Sequence, residues 1–265
     1  MAADTVPALV RYESRGGGAR ITLDSPHNRN AISSALVAQL LAALERAAAD
    51  PDARVVVLGH TGGTFCAGAD LSEASGDQSD PAAAAAARTR VFLDLLKAII
   101  AHPKPVIAAV DGHVRAGGMG LVAACDLAVA GPSSTFALTE VRLGLGIAMI
   151  SVPLAARVHS RDLTRAVLTG ETFDAARARE IGLLTEAAGD VPAAVDELVA
   201  SFRPCSPQGL AENKALLATP LLAELDARGD ELAGITARLF TTPEVTEGMT
   251  AFLERRPPSW AAGAE

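Results

Sequence analysis

Two segments of this chain are built to offer bare backbone N–H groups. One runs Gly63-Thr-Phe-Cys-Ala-Gly-Ala-Asp-Leu71, the other Val110-Asp-Gly-His-Val-Arg-Ala-Gly-Gly-Met-Gly-Leu-Val-Ala-Ala-Cys-Asp126. Each follows an apolar, strand-like run, Val55-Val-Val-Leu58 and Pro105-Val-Ile-Ala-Ala-Val110. Small residues and glycines at the end of a strand leave no bulky side chain between the backbone and a ligand. Two such donors converging on one point make an oxyanion hole, which stabilises negative charge developing on a carbonyl oxygen. The pairing therefore points to thioester chemistry.

Other uses of glycine-rich loops fail on spacing. Gly112 to Gly117 has the first two glycines of a phosphate-binding P-loop, but Gly118 stands where the lysine is required. Gly63 to Gly68 has the same spacing and is followed by Ala69. Neither segment reads G-x-G-x-x-G at the opening of a βαβ unit. Cys66 lies beside the first segment, but no histidine spacing marks it as a nucleophile, and a small buried thiol is expected. Asp70 is expected to cap a helix start. His113 and Arg115 stand out as polar residues in an apolar stretch, for which a structural role is expected.

The segments must be positioned by a chain of 265 residues, long enough to bury a substantial core. Its net charge of −8 argues against nucleic acid as a partner, because phosphate binding needs a basic face. Three cysteines (Cys66, Cys125 and Cys205) lack metal-ligand spacing and suggest no disulfide framework. Asp111, Asp126 and Glu140 do not form a convincing metal set, and no metal is expected. No charged n-region and no apolar run near membrane length is present, so a cytoplasmic protein that neither enters nor binds a membrane is expected. Aromatic residues make up only 3% of the chain, so the core must be aliphatic with closely approached backbones.

Residues 7–13 and 19–24 read as two strands about the turn Arg15-Gly-Gly-Gly18. Ser33 or Ser34 caps a helix carrying Leu36, Val37, Leu40, Leu41 and Leu44 at helical period. A strand is predicted over 54–59, a helix over 82–101, a strand over 105–110, a short helix over 117–124 and a strand over 126–130. Residues 72–82 are small and polar and are expected to form a mobile flap. A helix is predicted near 149–157, and from about 190 the chain is helical with breaks at Pro204, Pro207, Pro220 and Pro243. The order implies a coiled βα core over 1–200 and a helical region over 201–265.

With these residues laid out, the chain resembles the crotonase superfamily, the enoyl-CoA hydratase/isomerase family. The likeness rests on Pro26-His-Asn-Arg-Asn-Ala-Ile-Ser33, Phe65-Cys-Ala-Gly-Ala-Asp-Leu71, Val110-Asp-Gly, Gly117-Gly-Met-Gly and Ala124-Cys-Asp126. Phe136-Ala-Leu-Thr-Glu-Val-Arg-Leu-Gly144 and Phe252-Leu-Glu-Arg-Arg-Pro257 extend it over nearly the whole length. The resemblance implies an α/β fold, a crotonase-like spiral of ββα turns with a helical C-terminal trimerisation region, and assembly as a homotrimer or hexamer. It implies an acyl-CoA thioester as substrate, with coenzyme A part of that substrate and no separate cofactor. It also implies that the Ala69 and Gly117 N–H groups polarise the thioester carbonyl and that Glu140 is the acid/base. The backbone around Ala67, Ala69 and Leu71 would meet the adenine, and Arg29 the phosphates of coenzyme A.

One position departs from the two-glutamate members of that family, which carry a glutamate three residues after the oxyanion glycine; here it is Gly120. The segment Gly144-Leu-Gly-Ile-Ala-Met-Ile-Ser151 is similar to hydratase-like bacterial members that also lack the first glutamate. A single carboxylate suits hydration of a 2-enoyl-CoA, the leading expectation. It also suits Δ3-Δ2 enoyl-CoA isomerisation, and Gly120 leaves room for a non-catalytic acyl-CoA-binding member.

Overall fold

The computed structural model describes residues 7–74 and 80–261. The chain opens with an antiparallel hairpin, β1 (Val10–Arg15) and β2 (Gly18–Leu23), paired from Val10↔Leu23 to Arg15↔Gly18. Gly16 and Gly17 close it with φ of 63° and 87°, the left-handed conformation a two-residue hairpin turn requires. Helix α1 (Ser34–Ala49) follows, started by Ser33 Oγ, which accepts from Leu36 N–H at 3.2 Å.

Three ββ units then follow in order. They are β3 (Val55–His60) with β4 (Thr64–Cys66), β5 (Val106–Val110) with β6 (His113–Arg115), and β7 (Leu127–Ala130) with β8 (Thr135–Ala137). Helices α2 (Leu71–Ala74) and α3 (Pro81–Ile100) separate the first two units, and α4 (Gly117–Ala124) the second and third. In each unit the first strand joins one sheet and the second strand another. Later come α5 (Ser151–Arg157), α6 (Ser160–Thr169), β9 (Phe173–Asp174), α7 (Ala175–Glu180), β10 (Glu186–Ala187) and α8 (Val191–Phe202). The larger sheet runs β1-β2-β3-β5-β7-β10, parallel beyond its first pair, and the smaller runs β4-β6-β8-β9. This is the spiral of ββα turns that the resemblance implied.

The central strands β3, β5 and β7 of the larger sheet are largely buried on both faces, as parallel strands generally are, while the edge strands β1 and β10 are exposed. Val56, Leu58, Val106, Ala108 and Val110 enter the main core beneath α1 and α3. Val55, Val57, Ile107 and Val129 pack the other way, against Val191, Val195 and Val199 of α8. Full burial of each valine contributes about 1.5–3 kcal/mol, so the alternation fixes which face each strand presents.

Two expectations need correction. Pro220 does not break the chain: α9 (Pro207–Phe240) runs through it, and α10 (Pro243–Glu254) follows. A proline at 220 releases the carbonyl of Leu216. Leu216 and Leu217 are 72% and 83% exposed, so that carbonyl lies on the solvent side, while the opposite face of α9 is held along α3. Pro207 and Pro243 instead sit at the first turns of their helices, where proline is well tolerated. The residue pattern gave no sign of the short second strands β4, β6 and β8, although the resemblance implied two strands per turn. Of the expected flap, residues 75–79 lie outside the described residues, while 71–74 are helical.

Among the described residues no helix is long and apolar enough to cross a membrane. Helix α9 is pinned to the core by Lys214, which is buried with Asp126 at 2.7 Å and donates to Ile99 O and Lys104 O. Asp126 also accepts from Val106 N–H at 2.7 Å, so this motif aspartate is structural.

Candidate active site

The three groups singled out in the sequence leave the same end of three adjacent strands. Strands β4, β6 and β8 are parallel neighbours. Ala69 follows the last residue of β4 by three positions, Gly117 that of β6 by two, and Glu140 that of β8 by three. The carboxyl ends of parallel strands are where ligand crevices form in α/β sheets. Arg115 pairs with Ala137, and Ala116 N–H donates to Ala137 O at 3.1 Å, which ties the Gly117 and Glu140 segments together.

The Gly68–Ala69 peptide is held by the loop before α1. Ile32 N–H donates to Gly68 O at 2.8 Å, and Asp70 N–H donates to Ile32 O at 3.2 Å. In a trans peptide the N–H points opposite the carbonyl. Anchoring Gly68 O against Ile32 therefore turns Ala69 N–H away from that loop. The Ala116–Gly117 peptide is fixed in the same way, since Ala116 O accepts from Met119 N–H at 2.8 Å. Neither Ala69 N–H nor Gly117 N–H meets an acceptor among the described residues. Ala69 is exposed and Gly117 half-buried.

The two peptides lie side by side. Gly68 has φ +91°, and a Cβ there would stand 2.8 Å from Ala116 Cβ and 3.4 Å from Gly117 N. Ala116 has φ 49° and ψ −122°, a conformation that costs an alanine of order 1–3 kcal/mol and is held by its surroundings. Gly117 begins α4, whose dipole places partial positive charge at that amide. A Cβ on Gly117 would meet Ile32 Cδ1 at 2.9 Å and Phe92 Cε1 at 3.7 Å, so apolar side chains flank the donor. In such surroundings an N–H acts on a developing charge more strongly than in water.

The other glycines of the motif serve packing. A Cβ at 118 would lie 2.8 Å from both Cys66 Cβ and Cys66 O. At 120 it would fall inside the Ile150 Cγ2 methyl and 2.9 Å from Ile150 Cβ. Helix α4 is buried from Gly118 to Ala124, and these glycines allow the close approach. Ile150 thus fills the place a glutamate at 120 would need. Nothing local in the sequence joins 120 to 150, so this contact was not readable there.

Glu140 opens a 3-10 turn and is 9% exposed. Its Oε2 is buried with no hydrogen-bond partner among the described residues. Burial pushes its carboxyl up to about 7; its own backbone N–H, which favours the ionised form, offsets this in part. A carboxyl poised near neutrality with one oxygen left unpaired is suited to taking and returning a proton.

The remaining predicted residues fall around this centre. Arg29 is exposed, with φ 58°. Ala67 is half-buried and its N–H donates to Arg29 O at 3.1 Å, while Leu71 opens α2. Asp70 accepts from Ser72 N–H at 3.0 Å, the capping role expected of it. His113 and Arg115 both bond Thr135 across β6 and β8, also a structural role. Cys66 is buried, which pushes its thiol up to about 12 and leaves it inert near neutral pH. No group of three or more His, Cys, Asp or Glu side chains able to hold a metal occurs among the described residues.

Comparison with known proteins bears on the family and the fold. Residues 13–263 match the family described as enoyl-CoA hydratase/isomerase. A solved enoyl-CoA hydratase from Mycobacterium avium is 53% identical, covering 96% of this chain and 100% of that one, with a TM-score of 0.89. Enoyl-CoA hydratase EchA19 of Mycobacterium tuberculosis is 31% identical over 264 residues, 96% of each chain. A solved methylmalonyl-CoA decarboxylase, 23% identical with a TM-score of 0.79, shares the fold.

Proposed function

The chain belongs to the enoyl-CoA hydratase/isomerase family, and from that premise we propose that it adds water across the 2,3 double bond of a 2-enoyl-CoA thioester. The Ala69 and Gly117 N–H groups hold the thioester oxygen, and the Glu140 carboxylate takes a proton from water. The water oxygen bonds to C3, and the π electrons move through C2 onto the thioester oxygen as an enolate. Glu140 then returns the proton to C2, giving the 3-hydroxyacyl-CoA and restoring the carboxylate. Each donor is worth roughly 3–4 kcal/mol at the transition state. Coenzyme A enters as part of the substrate, with Arg29 at its phosphates and the backbone of Ala67 and Leu71 near its adenine. The observation that carries this reading is a buried carboxyl with one oxygen unpaired, which leaves β8 at the same end as two unsatisfied N–H donors leave β4 and β6.

Ile150 favours a second reading. With position 120 closed to a second carboxylate, Glu140 alone could move a proton from C2 of a 3-enoyl-CoA to C4, which is isomerisation. Incubating 2-enoyl- and 3-enoyl-CoA separately in ¹⁸O-water, with products identified by mass, separates the two. Label in a 3-hydroxyacyl product from the 2-enoyl substrate supports hydration. Conversion of the 3-enoyl substrate without label supports isomerisation, and no conversion of either overturns both.

Phe92 lies beside Gly117 and would face the carbons nearest the thioester. Phe92→Leu is expected to raise kcat/KM for a 2-methyl-branched enoyl-CoA over its straight-chain analogue by about tenfold. An unchanged ratio would remove Phe92 from the acyl pocket.

For the assembly we propose a homotrimer or a hexamer made of two trimers, in which the exposed Leu216 and Leu217 of α9 offer apolar surface for contact. Light scattering giving a monomer mass at micromolar concentration would exclude it.

A further inference from the structure

Asn30 is 0% exposed and lies in the left-handed region with φ 53°. Its carboxamide joins two loops that are distant in sequence. Nδ2 donates to Thr61 O at 3.0 Å and to Thr64 O at 2.7 Å, while Oδ1 accepts from Ser25 N–H at 2.7 Å. Its own N–H donates to Ser25 O at 2.9 Å. The side chain therefore fixes the start of β4, at Thr64, against the loop that ends in Ile32. Ile32 is the residue whose backbone holds both Gly68 O and Asp70 N–H, on either side of Ala69.

We propose that Asn30 is a positioning residue for the Ala69 N–H, setting its direction through the Ile32 clamp. The inference rests on the reading of Ala69 as an oxyanion donor. No other side chain suits the post as well. Asparagine tolerates the left-handed conformation better than other side-chain-bearing residues. It also supplies two donors and an acceptor on one planar group. With all three satisfied in a buried site, the loop is held in one arrangement. Removing the donors leaves Thr61 O and Thr64 O without this partner and frees the loop to shift against β4.

The test uses Asn30→Gly, which accepts the same φ, and Asn30→Asp, which keeps the Ser25 acceptor but loses both donors; either suffices if the other fails to fold. Kinetics are normalised to folded protein, and binding is read with a cinnamoyl-CoA, whose absorption moves to the red as its carbonyl is polarised. The expected result is a kcat lowered about tenfold to a hundredfold, with KM changed less than about threefold. The red shift should weaken while the thioester still binds. Full red shift and full kcat per folded molecule in the variants would overturn the role of Asn30 and leave the oxyanion reading standing. No red shift in the wild type would overturn the oxyanion reading itself, and with it this proposal.

Discussion

Replacing Glu140 by glutamine is expected to lower kcat about 10²–10⁴-fold, the usual contribution of a positioned acid/base. The amide keeps the size of the side chain but can neither take a proton from water nor return one. Wild-type kcat/KM should rise with pH to a plateau, with a midpoint near 7, because the carboxylate must be ionised to act as base. The residual activity of Glu140→Gln should lack that limb. Equal turnover in the two proteins would make the chain a member whose Glu140 does no chemistry.

The same substitution has a signature in stability. Burial raises the Glu140 pKa above its ordinary 4.5 to about 7, so the folded state holds this proton more tightly than the unfolded chain. The resulting stabilisation is fully present below 4.5 and is lost as pH climbs to 7 and beyond. The loss amounts to about 3 kcal/mol at 1.36 kcal/mol per pKa unit. Denaturant unfolding of the wild type should show that decline between pH 4 and 8, and Glu140→Gln should show it reduced by that amount. Parallel pH dependences in the two proteins would mean the carboxyl is not buried in solution.

Gly120→Glu is expected to be the most damaging way to restore a second carboxylate. The new Cβ would fall within the Ile150 side chain, on a helix with no free face to turn toward. Overpacking of this kind costs about 1–3 kcal/mol, before the added cost of a buried charge. For a chain of this size each kcal/mol lowers Tm by about 2–4 °C. The partner substitution Ile150→Ala removes the obstructing methyls, so Gly120→Glu/Ile150→Ala should recover much of the loss. A double variant no more stable than Gly120→Glu alone would show that something other than Ile150 closes the position. Recovered stability with increased hydration of a 2-enoyl-CoA would show that the missing carboxylate limits this site.

Much of this was legible because it is local. Val55 to Leu58 and Val106 to Val110 are long enough to declare buried strands, and Ser33 with the leucine spacing of α1 declares a capped helix. The two donor segments stood out because small residues follow a strand in each, and the resemblance to the enoyl-CoA hydratase/isomerase family named Ala69 and Gly117 within them. The strands β4, β6 and β8 were missed because each has only three residues, too few for an alternating pattern to register. Pro220 misled because tertiary packing along α3 outweighs the intrinsic preference of one residue. Asn30 and Ile150 act through contacts with 61–64 and 120, and no sequence spacing expresses such contacts. Asn30 carried one signal, an asparagine within a polar loop, which is equally the mark of an ordinary turn.

The descent of three groups from adjacent strands of one small sheet also sets a scale. Neighbouring strands lie about 4.8 Å apart, so the ladder works as a ruler, with the two amides one division apart and the carboxyl on the next. Backbone hydrogen bonds set the spacing of the strands, while side chains such as Asn30 set the aim of the loops that leave them. For the proposed chemistry this means that the sheet sets how far apart the two amides and the carboxyl start, and the loops beyond it set where they point.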